Sequence, residues 1–155
     1  MLALLTTTLS LVAPLAPSPQ PPLAFAFSPA GLLFPYYIGV SFRLRELGLI
    51  TDSCPLGGSS AGAIIAATMA CGVSEREVID GLSALLEDVR GGTRLNEALR
   101  KQLDSFLSDD AHKLAQQHGL KIGYLEVLPL PRRHVVTEWD SKQDLIDCIA
   151  ASCNW

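Results

Sequence analysis

The chain predicts an α/β domain, and two observations carry that prediction. A short apolar run after prolines, Leu23 to Phe27, is followed at once by a helical pattern from about Leu32 to Leu47. A second short strand, around Cys54 to Gly57, turns through Gly58 to Gly62 into a helix of small residues, Ala61 to Ala70. Buried helices that start directly after buried strands belong to sheet-and-helix layers rather than to a helical bundle.

Each element has a local reason. Ser28-Pro29-Ala30-Gly31 ends the first strand, and Gly48 ends the first helix, because glycine takes up the left-handed C-cap without steric cost. The small side chains from Ala61 to Ala70 allow close packing on a sheet, and Gly72 closes that helix. Ser74 and Glu77 form an S-x-x-E capping box for a helix reaching about Val89. Gly91-Gly92 breaks the chain, Thr93 opens a helix to about Leu107, and a shorter helix follows Asp109 and Asp110. Leu120 to Leu128 and His134 to Trp139 predict two strands joined through Pro129 to Arg133. Asp140 or Ser141 caps a last helix, whose Leu145, Cys148, Ile149 and Ser152 share one face.

Composition narrows the function classes. Hydrophobic residues make up 48% of the 155, charged residues 18%, and the net charge is −4. Such a chain buries a real core, and it lacks the basic surface that nucleic-acid binding requires. Cys54, Cys71, Cys148 and Cys153 have no paired C-x-x-C spacing, so free or buried thiols are expected rather than zinc ligands or a disulfide framework.

The first charged side chain is Arg43. Residues 1–22 are set apart from the domain at 23–155, as a targeting segment or a disordered proline-rich tail. A secretory signal favours a positive start and a transit peptide favours arginine, and both are missing there. Leu23 to Phe42 is long enough to imitate a membrane span, but Pro29, Gly31 and Pro35 argue for strand, turn and buried helix.

Chemistry centres on Gly58-Ser59-Ser60-Ala61-Gly62, a G-x-S-x-G match. Three fixed positions arise by chance in about one chain in twenty of this length. The context adds weight, since a nucleophile elbow needs a strand before the serine and a helix after it. In that geometry Ser60 stands at the apex, Gly58 and Gly62 make room for the turn, and Ala61 N–H is an oxyanion donor near the helix N-terminus. The plainer alternative is a glycine–serine turn in which Ser59 or Ser60 merely caps a helix. A P-loop is excluded because Ala63, not lysine, follows Gly62, and a dinucleotide fingerprint would need glycine at Ser59.

Ala26-Phe27-Ser28-Pro29-Ala30-Gly31-Leu32-Leu33-Phe34-Pro35-Tyr36-Tyr37-Ile38-Gly39-Val40, followed by Leu56-Gly57-Gly58-Ser59-Ser60-Ala61-Gly62-Ala63, resembles the patatin-like phospholipase family, in particular its plant and algal branch. Asp140 to Ile146 and Ala151-Ser152-Cys153 are similar to a downstream helix of that family. The resemblance runs from Leu23 to Trp155. It implies a three-layer α/β/α sandwich with a mainly parallel sheet. It also implies a lipid acyl hydrolase acting on phospholipids, galactolipids or acylglycerols at a membrane or lipid-droplet surface, with plastid or secretory targeting as options. Ser60 would be the nucleophile of a Ser–Asp dyad, with no metal or organic cofactor needed. Gly31, Leu32 and Ala61 would supply the oxyanion N–H groups.

The sequence departs from the family pattern in two places. Leu33 stands where a basic residue is common and Phe34 where glycine is common, and Pro29 has no N–H to donate. The family's aspartate follows the helix with which this chain ends, so the chain is expected to be truncated at its C-terminus. Asp80-Gly81 lies inside a capped helix and is not expected to replace it. His112, His118 and His134 are expected to be ordinary solvated histidines. A non-catalytic lipid-binding or regulatory protein is the competing expectation, and a membrane-anchored structural protein a third. A sheet cut short would expose an apolar edge, which predicts poor solubility in isolation.

Overall fold

The computed structural model describes residues 23–153. The expected targeting segment or tail at 1–22 and the terminal Trp155 lie outside the described residues. The elements run β1 (Phe25–Phe27), a 3-10 turn (Gly31–Leu33), α1 (Phe34–Glu46), β2 (Leu56–Gly58) and α2 (Ala61–Ala70). They continue with α3 (Glu75–Arg90), α4 (Leu95–Phe106), α5 (Ala111–Gln117), β3 (Lys121–Glu126), β4 (Arg132–Val136) and α6 (Lys142–Ser152). The strands form one open sheet in the order β1-β2-β3-β4. The first three are parallel and β4 returns antiparallel to β3. This is the α/β class with a mainly parallel sheet, consistent with the α/β/α arrangement the resemblance implies.

Register divides the sheet into two faces. Phe27, Leu56 and Ile122 are buried beneath the helices. The other face, with Ala26, Gly57, Gly123 and Val135, stays open to solvent among the described residues and carries a shallow apolar groove of about 400 Å³.

Helix α2 is the centre of the core. Ala63, Ile65, Ala66 and Ala67 are 0% exposed, and every residue of the helix except Ile64 is buried. A helix apolar all round is stable only when enclosed, here by the sheet on one side and by α1, α5 and α6 on the others. Arg45 of α1 donates to the Met69 carbonyl at the C-terminal end of α2, where a cation also suits the helix dipole. Leu145, Ile146 and Ile149 of α6 are fully buried, and an Arg100–Asp147 ion pair fastens α4 to α6. No helix among the described residues is long and apolar enough to cross a membrane.

Most predicted boundaries hold, and the shifts have physical reasons. The capping box forms, with Ser74 Oγ accepting from Glu77 N–H and the Glu77 carboxylate accepting from Ser74 N–H. Thr93 does not open α4; its N–H donates to Asp88 O as part of the exit from α3, and Arg94 holds the N-cap position. The fourth strand ends at Val136, opposite Ile122, because β3 offers few further partners, so Trp139 leaves the sheet and is buried in the core. Ser141, rather than Asp140, caps α6 by accepting from Asp144 N–H.

All four cysteines are free. Burial pushes the Cys71 thiol from its ordinary 9.0 to about 12, and its Sγ faces the Ala111 carbonyl at 3.4 Å. The folded state therefore favours the neutral thiol. The stability this confers is complete below pH 9.0 and is lost as pH rises toward 12. Thermal melts of wild type are expected to fall through that range, and Cys71→Ala is expected to fall less steeply. An identical alkaline slope in the two proteins would overturn the assignment.

Candidate active site

The elbow is built by three constraints acting on one turn. Ser60 follows β2 and precedes α2 with φ 55° and ψ −129°. It is the single non-glycine residue at positive φ among the described residues. Such a conformation costs about 1–3 kcal/mol and persists only where the surroundings over-determine it. Here the surroundings are backbone. A Cβ on Gly58 would stand 2.1 Å from the Gly62 carbonyl oxygen, and one on Gly62 would stand 2.1 Å from the Phe27 carbonyl oxygen. Both glycines are therefore required by space rather than by dihedral freedom, and they bring β1, β2 and α2 into direct backbone contact.

The amides of the turn are distributed in order. Ser59 N–H donates to Phe27 O at 3.2 Å, Gly62 N–H to Ser59 O at 3.0 Å, and Ala63 N–H to Ser60 O at 2.8 Å. Ser60 N–H donates to Ser152 Oγ at 2.7 Å, and Ser152 Oγ in turn donates to Gly123 O at 2.7 Å. The Ala61 N–H has no partner in this sequence of bonds, at the N-terminus of a ten-residue helix. That free donor, with the helix dipole behind it, suits a developing negative charge.

Ser60 is 7% exposed. Cys153 lies beside it: burial pushes that thiol up to about 11, and the neighbouring Ser60 hydroxyl pulls it partly back. A thiol so raised is neutral at ordinary pH and is no base. Among the described residues no carboxylate or imidazole hydrogen-bonds Ser60. Asp80 pairs with Arg76 on the exposed side of α3. His118 bonds the Asp52 carbonyl, and His134 pairs with Glu126 while stacking on Tyr124. His112 departs from the solvated expectation, since its Nδ1 is buried without a hydrogen-bond partner.

The loop after β1 is brought to the elbow only in part. Its first residue is held by Tyr37, whose hydroxyl bonds Ser28 Oγ at 2.8 Å and donates to Ser28 O at 3.1 Å, while its ring packs edge-on against Phe27. Ser28, Pro29, Gly58 and Ser59 line one end of the apolar groove together. Gly31, at φ 51°, and Leu32, 98% exposed, lie further along on the 3-10 turn, and no hydrogen bond ties them to Ser60. Their N–H groups donate to no other backbone group among the described residues. The described residues also contain no group of three or more His, Cys, Asp or Glu placed to hold a metal.

Ser152 was not legible as a site residue; it was visible as a hydroxyl on the apolar face of the last helix and within the Ala151-Ser152-Cys153 stretch that resembles the family's downstream helix. That position carried a signal, because a half-buried hydroxyl on an otherwise apolar face needs a hydrogen-bond partner.

Fold and site together define an α/β protein that presents a serine on a strained strand-to-helix turn, backed by the free N–H of Ala61 at a helix N-terminus. Its known relatives give that class a context. The chain is 28% identical over 145 residues to the omega-hydroxyceramide transacylases of Mus musculus and Homo sapiens, covering 87% of this chain and 24% and 27% of theirs. It is 26% identical over 145 residues to the 1-acylglycerol-3-phosphate O-acyltransferase Pnpla3 of Mus musculus, covering 87% of this chain and 35% of that one. These are distant homologues from the patatin-like family. The chain spans about a quarter to a third of the length of these curated relatives. No family model matches the chain, and no solved structure does.

Proposed function

We propose that the chain carries the nucleophile-bearing part of an enzyme that processes lipid acyl groups, with Ser60 as nucleophile. The observation that carries this reading is the Ser60 backbone, held at φ 55° and ψ −129° between β2 and the buried α2. Relatives named for ceramide transacylation and for acylation of an acylglycerol phosphate support it.

In the first step Ser60 Oγ attacks the carbonyl carbon of an acyl ester. The C–O bond to the leaving alcohol breaks, and that alcohol takes up the proton Ser60 released. In the second step water, or the hydroxyl of an acceptor lipid, attacks acyl-Ser60 and returns a proton to Oγ, giving a free acid or a new ester. The Ala61 N–H holds the oxyanion, joined in the arrangement the resemblance implies by those of Gly31 and Leu32; such stabilisation is usually the largest single contribution to this catalysis. The proton carrier in this reading is the aspartate of a Ser–Asp dyad, as the family resemblance implies; no carboxylate hydrogen-bonds Ser60 among the described residues. A serine without a base is a poor nucleophile.

A second reading, a non-catalytic lipid-binding or regulatory protein, is favoured by the absence of any carboxylate on Ser60 among the described residues and by Pro29 in the oxyanion loop. Labelling of the native chain with a fluorophosphonate probe separates the two. Probe uptake by wild type at Ser60, lost in Ser60→Ala, is the outcome the enzymatic reading expects and would mean that a base reaches Ser60. A wild type that melts cooperatively yet stays unlabelled would show that this chain alone does not activate Ser60, and would favour the second reading.

A further inference from the structure

The β3–β4 hairpin carries an uninterrupted run of exposed residues. Every residue from Leu125 to Arg133 is exposed. Within that run Val127 is 62% exposed, Leu128 78% and Leu130 66%. Isolated exposed leucines are ordinary, but a contiguous apolar tip on a projecting loop marks an interaction site. Arg132 and Arg133 stand at its base. Glu126 stands opposite Arg132 in the ladder, and its carboxylate bonds His134 Nε2 at 2.8 Å. The tip is therefore apolar, and its base carries two arginines against one carboxylate, a net positive charge.

Topology decides where the tip points. β1, β2 and β3 are parallel, so their carboxyl ends share one edge of the sheet. Ser60 follows β2 at that edge, and the exposed Leu32 and Leu33 follow β1. Gly58 pairs with Ile122, which places Val127 to Pro131 beyond the level of Ser60 by several residues of extended chain, about 3.3 Å each. The hairpin tip and the 3-10 turn thus flank the elbow as two apolar prominences on one end of the molecule.

We propose that the β3–β4 hairpin tip is a lipid-docking element that seats this end of the protein on an anionic bilayer surface. Val127, Leu128 and Leu130 enter the boundary of the acyl region while Arg132 and Arg133 meet lipid phosphates, the arrangement that suits interfacial anchors generally. Pro129 and Pro131 fit the role, since neither carries an N–H that would need a partner away from water. The choice of lipid rather than protein as occupant rests on the acyl-processing reading and on the charge at the tip's base. Docking itself does not need a working nucleophile.

The test is co-sedimentation of the full chain, carrying Ser60→Ala throughout so that turnover plays no part, with vesicles of phosphatidylcholine alone or mixed with phosphatidylserine. Leu128→Ser with Leu130→Ser is expected to weaken binding to both compositions, by about tenfold for each leucine. Arg132→Ala with Arg133→Ala is expected to weaken binding to the anionic vesicles alone, by roughly fivefold for each arginine, and to remove its salt sensitivity. Binding unchanged by the leucine pair would overturn the proposal, as would no binding by a cooperatively melting chain. Concentration-dependent self-association in analytical ultracentrifugation, abolished by the leucine pair without any vesicle binding, would assign the tip to a second copy instead. Absence of fluorophosphonate labelling in the chain that keeps Ser60, with vesicle binding intact in the Ser60→Ala chain, would sink only the catalytic reading.

Discussion

Gly62→Ala is expected to destabilise the fold by about 3 kcal/mol or more. The added methyl would stand 2.1 Å from the Phe27 carbonyl oxygen, 2.6 Å from its carbon and 2.7 Å from the Ser28 carbonyl oxygen, all backbone atoms. Backbone cannot rotate away as the end of a flexible side chain can, so α2 would have to retreat from β1. That helix is buried on nearly every side, and moving it disturbs the contacts of Ile65, Ala66 and Ala67 together. Gly39→Ala supplies the contrast in sign. Gly39 lies on the exposed side of α1, where a Cβ meets nothing within 4 Å, so alanine there is expected to stabilise by about 0.8–1 kcal/mol. Urea unfolding of both variants against wild type checks the pair. A Gly62→Ala midpoint indistinguishable from wild type would show that the elbow is not packed as described.

Ser152→Ala is expected to have the second largest effect, and on two quantities at once. One hydroxyl accepts from Ser60 N–H and donates to Gly123 O, each at 2.7 Å, so alanine leaves a donor and an acceptor unserved. A loss of about 2 kcal/mol follows from that alone. The hydroxyl also helps hold Ser60 in a conformation it would not keep by itself, so the rate of fluorophosphonate labelling is expected to fall about tenfold, the equivalent of 1.4 kcal/mol. Labelling is to be measured well below the melting temperature of the variant. Ser152→Thr retains the hydroxyl and should recover most of that rate. A variant with a lower melting temperature but wild-type labelling would reduce Ser152 to a packing residue.

Both predictions rest on contacts between distant parts of the chain, and this marks how far the sequence could be read. The α/β class, the span of α2 and the capping box were legible because each depends on neighbours within a few residues: small side chains in a row, a serine three residues before a glutamate, a glycine where a helix must end. The G-x-S-x-G pattern pointed to a tight turn at Ser60, and the turn is there. The place of Gly31 and Leu32 was not legible, because a loop's approach to a site depends on the packing beneath it, here Tyr37 against Phe27 and Ser28.

Sequence alone, then, determined the local conformations: which segments alternate or turn, where helices are capped, and that a serine flanked by glycines stands between a strand and a helix. Tertiary structure alone decided what that serine meets. It set the last helix against the elbow so that Ser152 bridges Ser60 and Gly123, ninety-two and twenty-nine residues away along the chain. It also placed the β3–β4 tip beside the same end of the sheet. The physical reason is that strand pairing and helix packing bring together residues whose separation in sequence carries no trace of their separation in space.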